Sequence, residues 1–510
     1  MAARQAFGRG EPGLVSDMQM LGSSLLSALA SSAKRILLLN APAVDVRLPW
    51  ARWQQPVGLL QIGAALRGMG CDVRLLDCLQ VPAEGRLARE RVGRLDIEGG
   101  AIDLWRFGLS PARVVARLRA WALDGWQPDR VLVSGGLGTW WQGARDLIMA
   151  VKREMSAPVI LGGAYATFYP EHAADHTGAD AIVVGNLLEA QCLTADLTLY
   201  EPAPIPRFAG IHLLRPAGLL PSASTPRAPQ AVAEEVKAKA ELGVTSFAFF
   251  DDWLGPGHRE PLAEALAAIA ALDLRQVGFV AVGNFSPRLI DGDLARLLRQ
   301  ARFRHVHLHD DVAYTSSGAH HLSAEGDYAR CVQALHNAGF RPRTDEVGAG
   351  VLVGIPGEDL SAVAERLVRL ASIVGSVNLV PYQYTPGTPQ GKPFERLLAQ
   401  RNGCLDLTTL NAQLYPLARL CGATMEHYRE LTRLAALLNA KYRSRTFDFL
   451  GNSLTARMVH ACLGERLWDP FHRLPDARPD SEFPQGSARA GSSSSRQESL
   501  APIKHCGERG

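Results

Sequence analysis

Between residues 34 and 381, eleven short strand-like runs alternate with segments of helical period, and this alternation is what most restricts the fold. The first five runs are 36–39, 73–76, 131–133, 159–161 and 181–184, and they are apolar with almost no interruption. A run that is apolar at every position is buried on both faces, which means a parallel sheet covered by helices. Between the first two runs, Leu59, Ile62, Leu66 and Met69 recur at spacings of three and four, the pattern of a crossover helix. Five such strands predict a doubly wound, flavodoxin-like unit over 34–200, whose ligand lies beyond the strand C-termini. Residues 201–210, EPAPIPRFAG, carry three prolines and read as a linker. Six more runs follow at 211–214, 246–250, 277–282, 305–309, 348–353 and 376–381, with helices between them such as the face Val363, Leu367, Leu370, Ile373. Six βα units within 201–400 predict a partial (β/α)6 barrel, because a closed eightfold barrel takes about 250 residues. The fold class is α/β throughout, with a helical region at 401–468. Residues 1–33 read as a flexible leader and the Ser-, Pro- and Gly-rich stretch 469–510 as a disordered tail.

Composition narrows the partners. Lys and Arg number 54 against 51 Asp and Glu, a net charge of +3 that gives no electrostatic reason to expect nucleic acid. No apolar run reaches the roughly 18–20 residues a membrane span needs. The stretch 21–30 is short, broken by serines and preceded by Glu11 and Asp17, which argues against a secretory signal and for a cytoplasmic protein. Eight cysteines are scattered without a CxxC or CxxxC pair, as expected of buried thiols in a reducing compartment. Nothing resembles a nucleophile–base triad, a phosphate-binding Walker loop or a dinucleotide fingerprint.

Glycines stand at the ends of the first-sheet strands: Gly135 and Gly136 after Ser134, Gly162 and Gly163 before Ala164, and Gly185 after the fifth run. They serve either tight turns or the close approach of a bulky ligand to the backbone. At this point the residues resemble a known family. ILGGAYATFYPEHAADHTGADAIVVGNLLEA (160–190) is similar to cobalamin-binding domains, which end a strand in Gly-Gly, continue to a proline and close near a GEGE-like turn. Here only Gly185 and Glu189 of that turn persist. The opening LLLNAP, with Asn40 and Pro42, and PVGLLQIGAALRGMGCDVRLLD are similar to the same family. The resemblance implies that Asn40, Pro42, Ser134, Gly135, Gly162, Gly163, Ala164, Gly185 and Glu189 contact cobalamin. The DxHxxG loop of methionine-synthase-type domains is missing, since 41–50 contains no His, so the resemblance implies cobalamin without protein His ligation.

The second half resembles the radical S-adenosylmethionine (radical SAM) superfamily, in the subgroup with an N-terminal cobalamin domain. The resemblance is carried by FAFFDDWL (247–254), VGFVAVGNFSPRLIDGDLARLLRQARF (277–303), VLVGIPGEDL (351–360) and YTPGTP (384–389). It implies S-adenosylmethionine contacts at Asp251, Asp252, Asn284, Gly354, Ile355 and Pro356. Asp251 and Asp252 read equally as caps for the following segment. The family's CxxxCxxC motif, which binds a 4Fe–4S cluster, is absent: in LLRPAGLLPSASTPRAPQAV (213–232), Ala217, Pro221 and Ser224 stand at the cysteine positions. None is a soft thiolate, so the cluster and reductive SAM cleavage are not expected.

At the barrel mouth, His305, His307 and His309 alternate with apolar residues ahead of Asp310 and Asp311. They line a polar interior or contribute to a metal site, though residues four apart on a strand are about 13 Å apart and cannot all bind one ion. Asp251, Asp252, His307 and His309 are the catalytic candidates, while His320 and His321 read as a solvated loop pair. Three readings stay open. The chain is a cobalamin-binding relative without the cluster, acting as a non-radical enzyme or as an accessory or sensory partner of a complete radical SAM protein. It is a working methyltransferase or cyclase taking ligands from Cys331, Cys404 or Cys421. Or it is a corrinoid- or tetrapyrrole-binding module. Each takes a small-molecule ligand or substrate.

Overall fold

The computed structural model describes residues 22–46, 55–80, 87–97, 100–185, 194–200, 203–215, 225–251, 253–315, 318–342, 344, 346–388, 391–399 and 406–443. Glu189, Ala217, Pro221, Ser224, Asp252, Cys404 and the 469–510 tail lie outside the described residues.

Five parallel strands form the first sheet, in the order Asp72–Asp77, Arg35–Asn40, Arg130–Ser134, Val159–Gly162, Ala181–Ile182. This is the 2-1-3-4-5 order of a flavodoxin-like unit, with its switch point beside the first strand. The first strand shows why a continuous apolar run is required. Ile36 and Leu38 pack on one face, Leu37 and Leu39 on the other, and all four are fully buried. The helix Val57–Gly68 covers one face, and its Gly63 sits so close to the sheet that a Cβ there would lie 2.9 Å from a Leu38 methyl.

Six parallel strands form the second sheet in sequential order: Phe208–Ile211, Ser246–Phe249, Gly278–Phe285, Phe303–Leu308, Val347–Val353 and Val377–Pro381. Among the described residues the first and last have a strand on one side only, as in a partial barrel. The long helix Met425–Arg443 packs against the last, where Asn439 bonds both the N–H and the carbonyl of Val377 at 2.7 and 2.8 Å.

Several elements differ from the sequence reading. Helix Gly22–Ser32 lies within the expected leader, held down by buried Leu26 and Leu29. The barrel's first strand begins at Phe208, inside the expected linker. Its FAGI sequence lacks a continuous large apolar run because the Phe250 ring fills the space of a side chain at Gly210, 2.4 Å from a Cβ built there. A three-stranded antiparallel sheet, Ala43–Asp45, Gly100–Phe107 and Arg89–Ile97, had no counterpart in the reading. Arg89–Ile97 is largely exposed and rich in charge, so no apolar period marks it. His320 and His321 belong to the strand Gly318–His321, which pairs with Val312–Thr315.

Replacing Leu38 by Ala removes a side chain wedged between the sheet and its helix. A loss of about 2–5 kcal/mol is expected for such a truncation, read as a lowered urea midpoint with an unchanged slope.

Candidate functional site

The fourth strand of the first sheet ends in Gly162, and Gly163 turns the chain into helix Ala164–Phe168. Gly163 has φ +89°, and a Cβ on it would stand 3.0 Å from Ser134 Oγ. That conformation and that closeness both demand glycine. Gly185, also at positive φ, donates its N–H to Thr167 Oγ1 at 3.1 Å. Ser134, Gly162, Gly163, Ala164 and Gly185 thereby line one wall of a cleft of about 380 Å³, together with the helix beginning at Val57. His212, Leu214 and Arg227 line it from the barrel.

Three predicted contacts lie elsewhere. Asn40 is buried and donates to Asp77 Oδ1 at 2.7 Å, while Tyr200 donates to the other oxygen at 3.0 Å. The Pro42 carbonyl lies against Gly143, 2.0 Å from a Cβ built there. Gly135 packs under Tyr165. These positions shape the strand ends from beneath instead of lining the cleft.

The barrel wall is built on buried charge. Glu235 binds Arg227 and Lys239, each at 2.6 Å. Lys239 donates to the Gly210 carbonyl at 2.8 Å, and Arg227 to the His212 carbonyl at 2.9 Å. Burial raises the Glu235 carboxyl's pKa, but the two cations outweigh burial and hold it below the usual range. The apolar pattern starts this strand at 211 and so does not mark His212 or Arg227 as site residues. Starting it at Phe208 puts His212 just past the strand's C-terminal end, where a barrel carries its chemistry. Asp251 accepts the Leu213 and Leu214 amides, both at 2.9 Å, and so pins the turn that follows that strand. Asn284 donates to the carbonyls of Phe249 and Asp251 at 3.1 and 2.9 Å, while its buried Oδ1 has no hydrogen-bond partner among the described residues.

The three alternating histidines do not converge. His305 is exposed, the His307 ring occupies the space left by Gly348, and His309 Nδ1 lies 3.0 Å from the Gly283 carbonyl. Among the described residues no group of three His, Cys, Asp or Glu is arranged to hold a metal ion. The adjacent carboxylates are engaged in the fold. Asp310 binds Arg366 and lies 3.1 Å from His321 Nδ1, so His321, an exposed residue of a short strand, is tied to a buried carboxylate. Asp311 accepts from Trp253 Nε1 at 2.8 Å, from Ser323 Oγ at 2.7 Å and from Ser286. In the GIPGE turn, Gly354 donates its N–H to Glu358 at 2.8 Å and Ile355 is buried, with Pro356 following it. Tyr428 of the C-terminal helix also binds Glu358, a brace the motif alone did not reveal.

No family model matches the chain. Over 153 residues it is 29% identical to the cytidylyl-2-hydroxyethylphosphonate methyltransferase of Streptomyces wedmorensis, which covers 30% of this chain and 26% of that protein. The chain therefore matches about a quarter of that relative's length. Among solved structures, the radical SAM methyltransferase TsrM from Kitasatospora setae, with tryptophan substrate and aza-SAM bound, superposes with a TM-score of 0.50. The match covers 72% of this chain and 76% of TsrM at 16% identity. A second TsrM structure, with cobalamin and a 4Fe–4S cluster, gives 0.49 at 14% identity over 72% and 75% of the two chains. The fold is that of TsrM.

Within this fold, the described cysteines sit on separate elements. Cys71 and Cys78 are buried in the first domain, and Cys421 is exposed beyond the barrel. Cys331 is fully buried on helix Glu325–Asn337, where burial alone drives its pKa far up and keeps it a thiol. No helix among the described residues is long and apolar enough to cross a membrane.

The buried triad sets an acid limit on the barrel wall. Because the folded-state pKa of Glu235 is depressed, its contribution is complete above the unfolded-state value of about 4.3 and disappears as pH falls through the folded value. Glu235→Gln leaves Arg227 and Lys239 uncompensated and is expected to cost about 3–5 kcal/mol at neutral pH. In denaturation experiments from pH 7 to pH 3, the gap between this variant and wild type should close as Glu235 protonates.

Proposed function

We propose that the chain binds a corrinoid in the cleft between its two sheets and does not carry out reductive SAM cleavage. It acts as a non-radical enzyme or as an accessory or sensory partner of a complete radical SAM protein. The observation that carries this reading is the cleft itself. Ser134, Gly162, Gly163 and Gly185 form a backbone-lined edge without bulky side chains, which suits a broad, flat ligand, and the barrel wall closes over it. When bound, a corrinoid supplies cobalt chemistry. The protein's part is to seat the macrocycle on the glycine edge and exclude water from it.

A 4Fe–4S cluster does not fit the donors present. The barrel's first-strand loop supplies Ala217, Pro221 and Ser224, and Cys331 faces the core. Methyl transfer, the activity in the names of both relatives, is the second reading, favoured by the likeness to the Streptomyces wedmorensis enzyme. It requires three convergent thiolates from outside that loop. S-adenosylmethionine binding without cleavage, through Asp251, Asp252, Asn284 and the Gly354–Pro356 turn, is compatible with either.

Two experiments test the proposal. Gly162→Trp starts from ordinary contacts, 3.8 Å from Val183 for its Cβ, so the fold tolerates it while the indole competes for the cleft. Titration with hydroxocobalamin should shift the visible spectrum for wild type and leave this variant's unchanged, with an equal melting temperature. Equal affinities would refute the corrinoid site. Anaerobic reconstitution with iron and sulfide should yield no stoichiometric cluster, and reductant plus SAM no 5′-deoxyadenosine. A full cluster lost in Cys331→Ala or Cys404→Ala would establish the second reading.

A further inference from the structure

One group in the cleft is assigned by no resemblance. His212 follows Ile211, the last residue of the barrel's first strand, and is the one histidine among the described lining residues. Its position is set from three directions. Arg227 donates to its carbonyl at 2.9 Å. Phe250 meets its ring edge-on at 6.3 Å and 85°. Asp251 Oδ1 lies 3.9 Å from Nδ1, and that carboxylate is itself immobilised by the Leu213 and Leu214 amides. Nδ1 is the nitrogen nearer this carboxylate and Nε2 the one farther from it, on a residue that lines the cleft. At 3.9 Å that carboxylate stands beside the ring without a direct hydrogen bond, and closing the gap would give the carboxylate-backed imidazole common at metal sites. Burial lowers the pKa of His212, outweighing the opposing pull of Asp251 and Glu235 and acting with Lys239 and Arg227. The ring is therefore neutral at pH 7, with a lone pair to donate.

We propose that His212 supplies an axial nitrogen to the cobalt of the corrinoid held in this cleft, from the barrel side. The proposal rests on the corrinoid reading above. The first-sheet loop 41–54, where a cobalamin domain carries its own ligand, contains no histidine. An imidazole on the barrel face takes the coordination position that an incoming group from the barrel would need. A chain without cluster thiolates has no use for that position in radical chemistry, so the two features are consistent.

Cobinamide, which lacks the nucleotide base, isolates the test, because beyond the four corrin nitrogens any further nitrogen on its cobalt comes from outside the cofactor. The full-length protein is loaded with cobinamide, reduced by one electron with titanium(III) citrate, and read by electron paramagnetic resonance. Each cobalt line should split into three from one nitrogen-14 nucleus, and into two in protein grown with nitrogen-15 histidine. His212→Ala and His212→Gln should lose the splitting while retaining cobinamide through gel filtration, and imidazole added to His212→Ala should restore it. If both variants misfold, the labelled wild type still shows whether the nitrogen is a histidine's, and His212 is the histidine among the described residues lining the cleft. Bound cobinamide without nitrogen splitting in wild type, or splitting that persists in His212→Ala, overturns the assignment and leaves the corrinoid site standing. Failure of wild type to retain cobinamide overturns the corrinoid reading itself.

Discussion

Gly210 lies on the edge strand of the barrel sheet, and its two backbone polar groups need partners that no further strand among the described residues provides. Its N–H is bound by Gln55 Oε1 of the first domain at 2.9 Å, and its carbonyl by Lys239 Nζ at 2.8 Å. Much of the cleft follows from that requirement. A buried lysine is costly without a counter-charge, so Lys239 needs Glu235. Glu235 is shared with Arg227, and Arg227 reaches the carbonyl of His212. One edge carbonyl thus organises a relay of buried charges that ends at the cleft. The Gln55 contact ties the same strand to the segment leading into the helix that lines the opposite wall.

The first domain is tied to the far end of the chain as well. Asp45 accepts Trp140 Nε1 and Asn411 Nδ2, each at 2.7 Å, and Trp141 donates to Thr408 at 3.2 Å. The segment after the barrel therefore locks onto the first domain while helix Met425–Arg443 closes the sixth strand. The first domain is therefore tied both to the barrel's first strand and to the segment after the barrel. Many candidate polar residues at the barrel mouth serve this architecture. Asp251, Asp310 and Asp311 each spend their oxygens on backbone amides, Arg366 or hydroxyls, which explains why carboxylates beside histidines do not amount to a metal centre.

Most of the strand order was legible because the physical signal was strong. Runs such as 36–39 and 131–133 are apolar at every position, which only burial on both faces accommodates. The charged strand Arg89–Ile97 and the glycine-bearing strand Phe208–Ile211 were not legible, because solvent exposure in one and close packing by Phe250 in the other erase the apolar period. The glycine edge of the site was legible for a related reason. Gly163 occupies a conformation other residues avoid, and such positions leave a mark in the sequence.

By itself, then, the sequence determined the two parallel α/β sheets, the glycine edge and the missing thiols of the barrel's first loop. Each depends on local residue identity: apolar runs, positive φ, or the presence of sulfur. Only the tertiary structure decided which polar side chains face the cleft. His305, His307 and His309 look like a cluster in sequence yet are dispersed by strand geometry and by their own neighbours. His212, Arg227 and Asp251 are separated along the chain and look unremarkable, but the pairing of the first two barrel strands brings them together. The reason is that a side chain's environment is set by long-range strand register and by charges buried from distant segments, which no local pattern encodes.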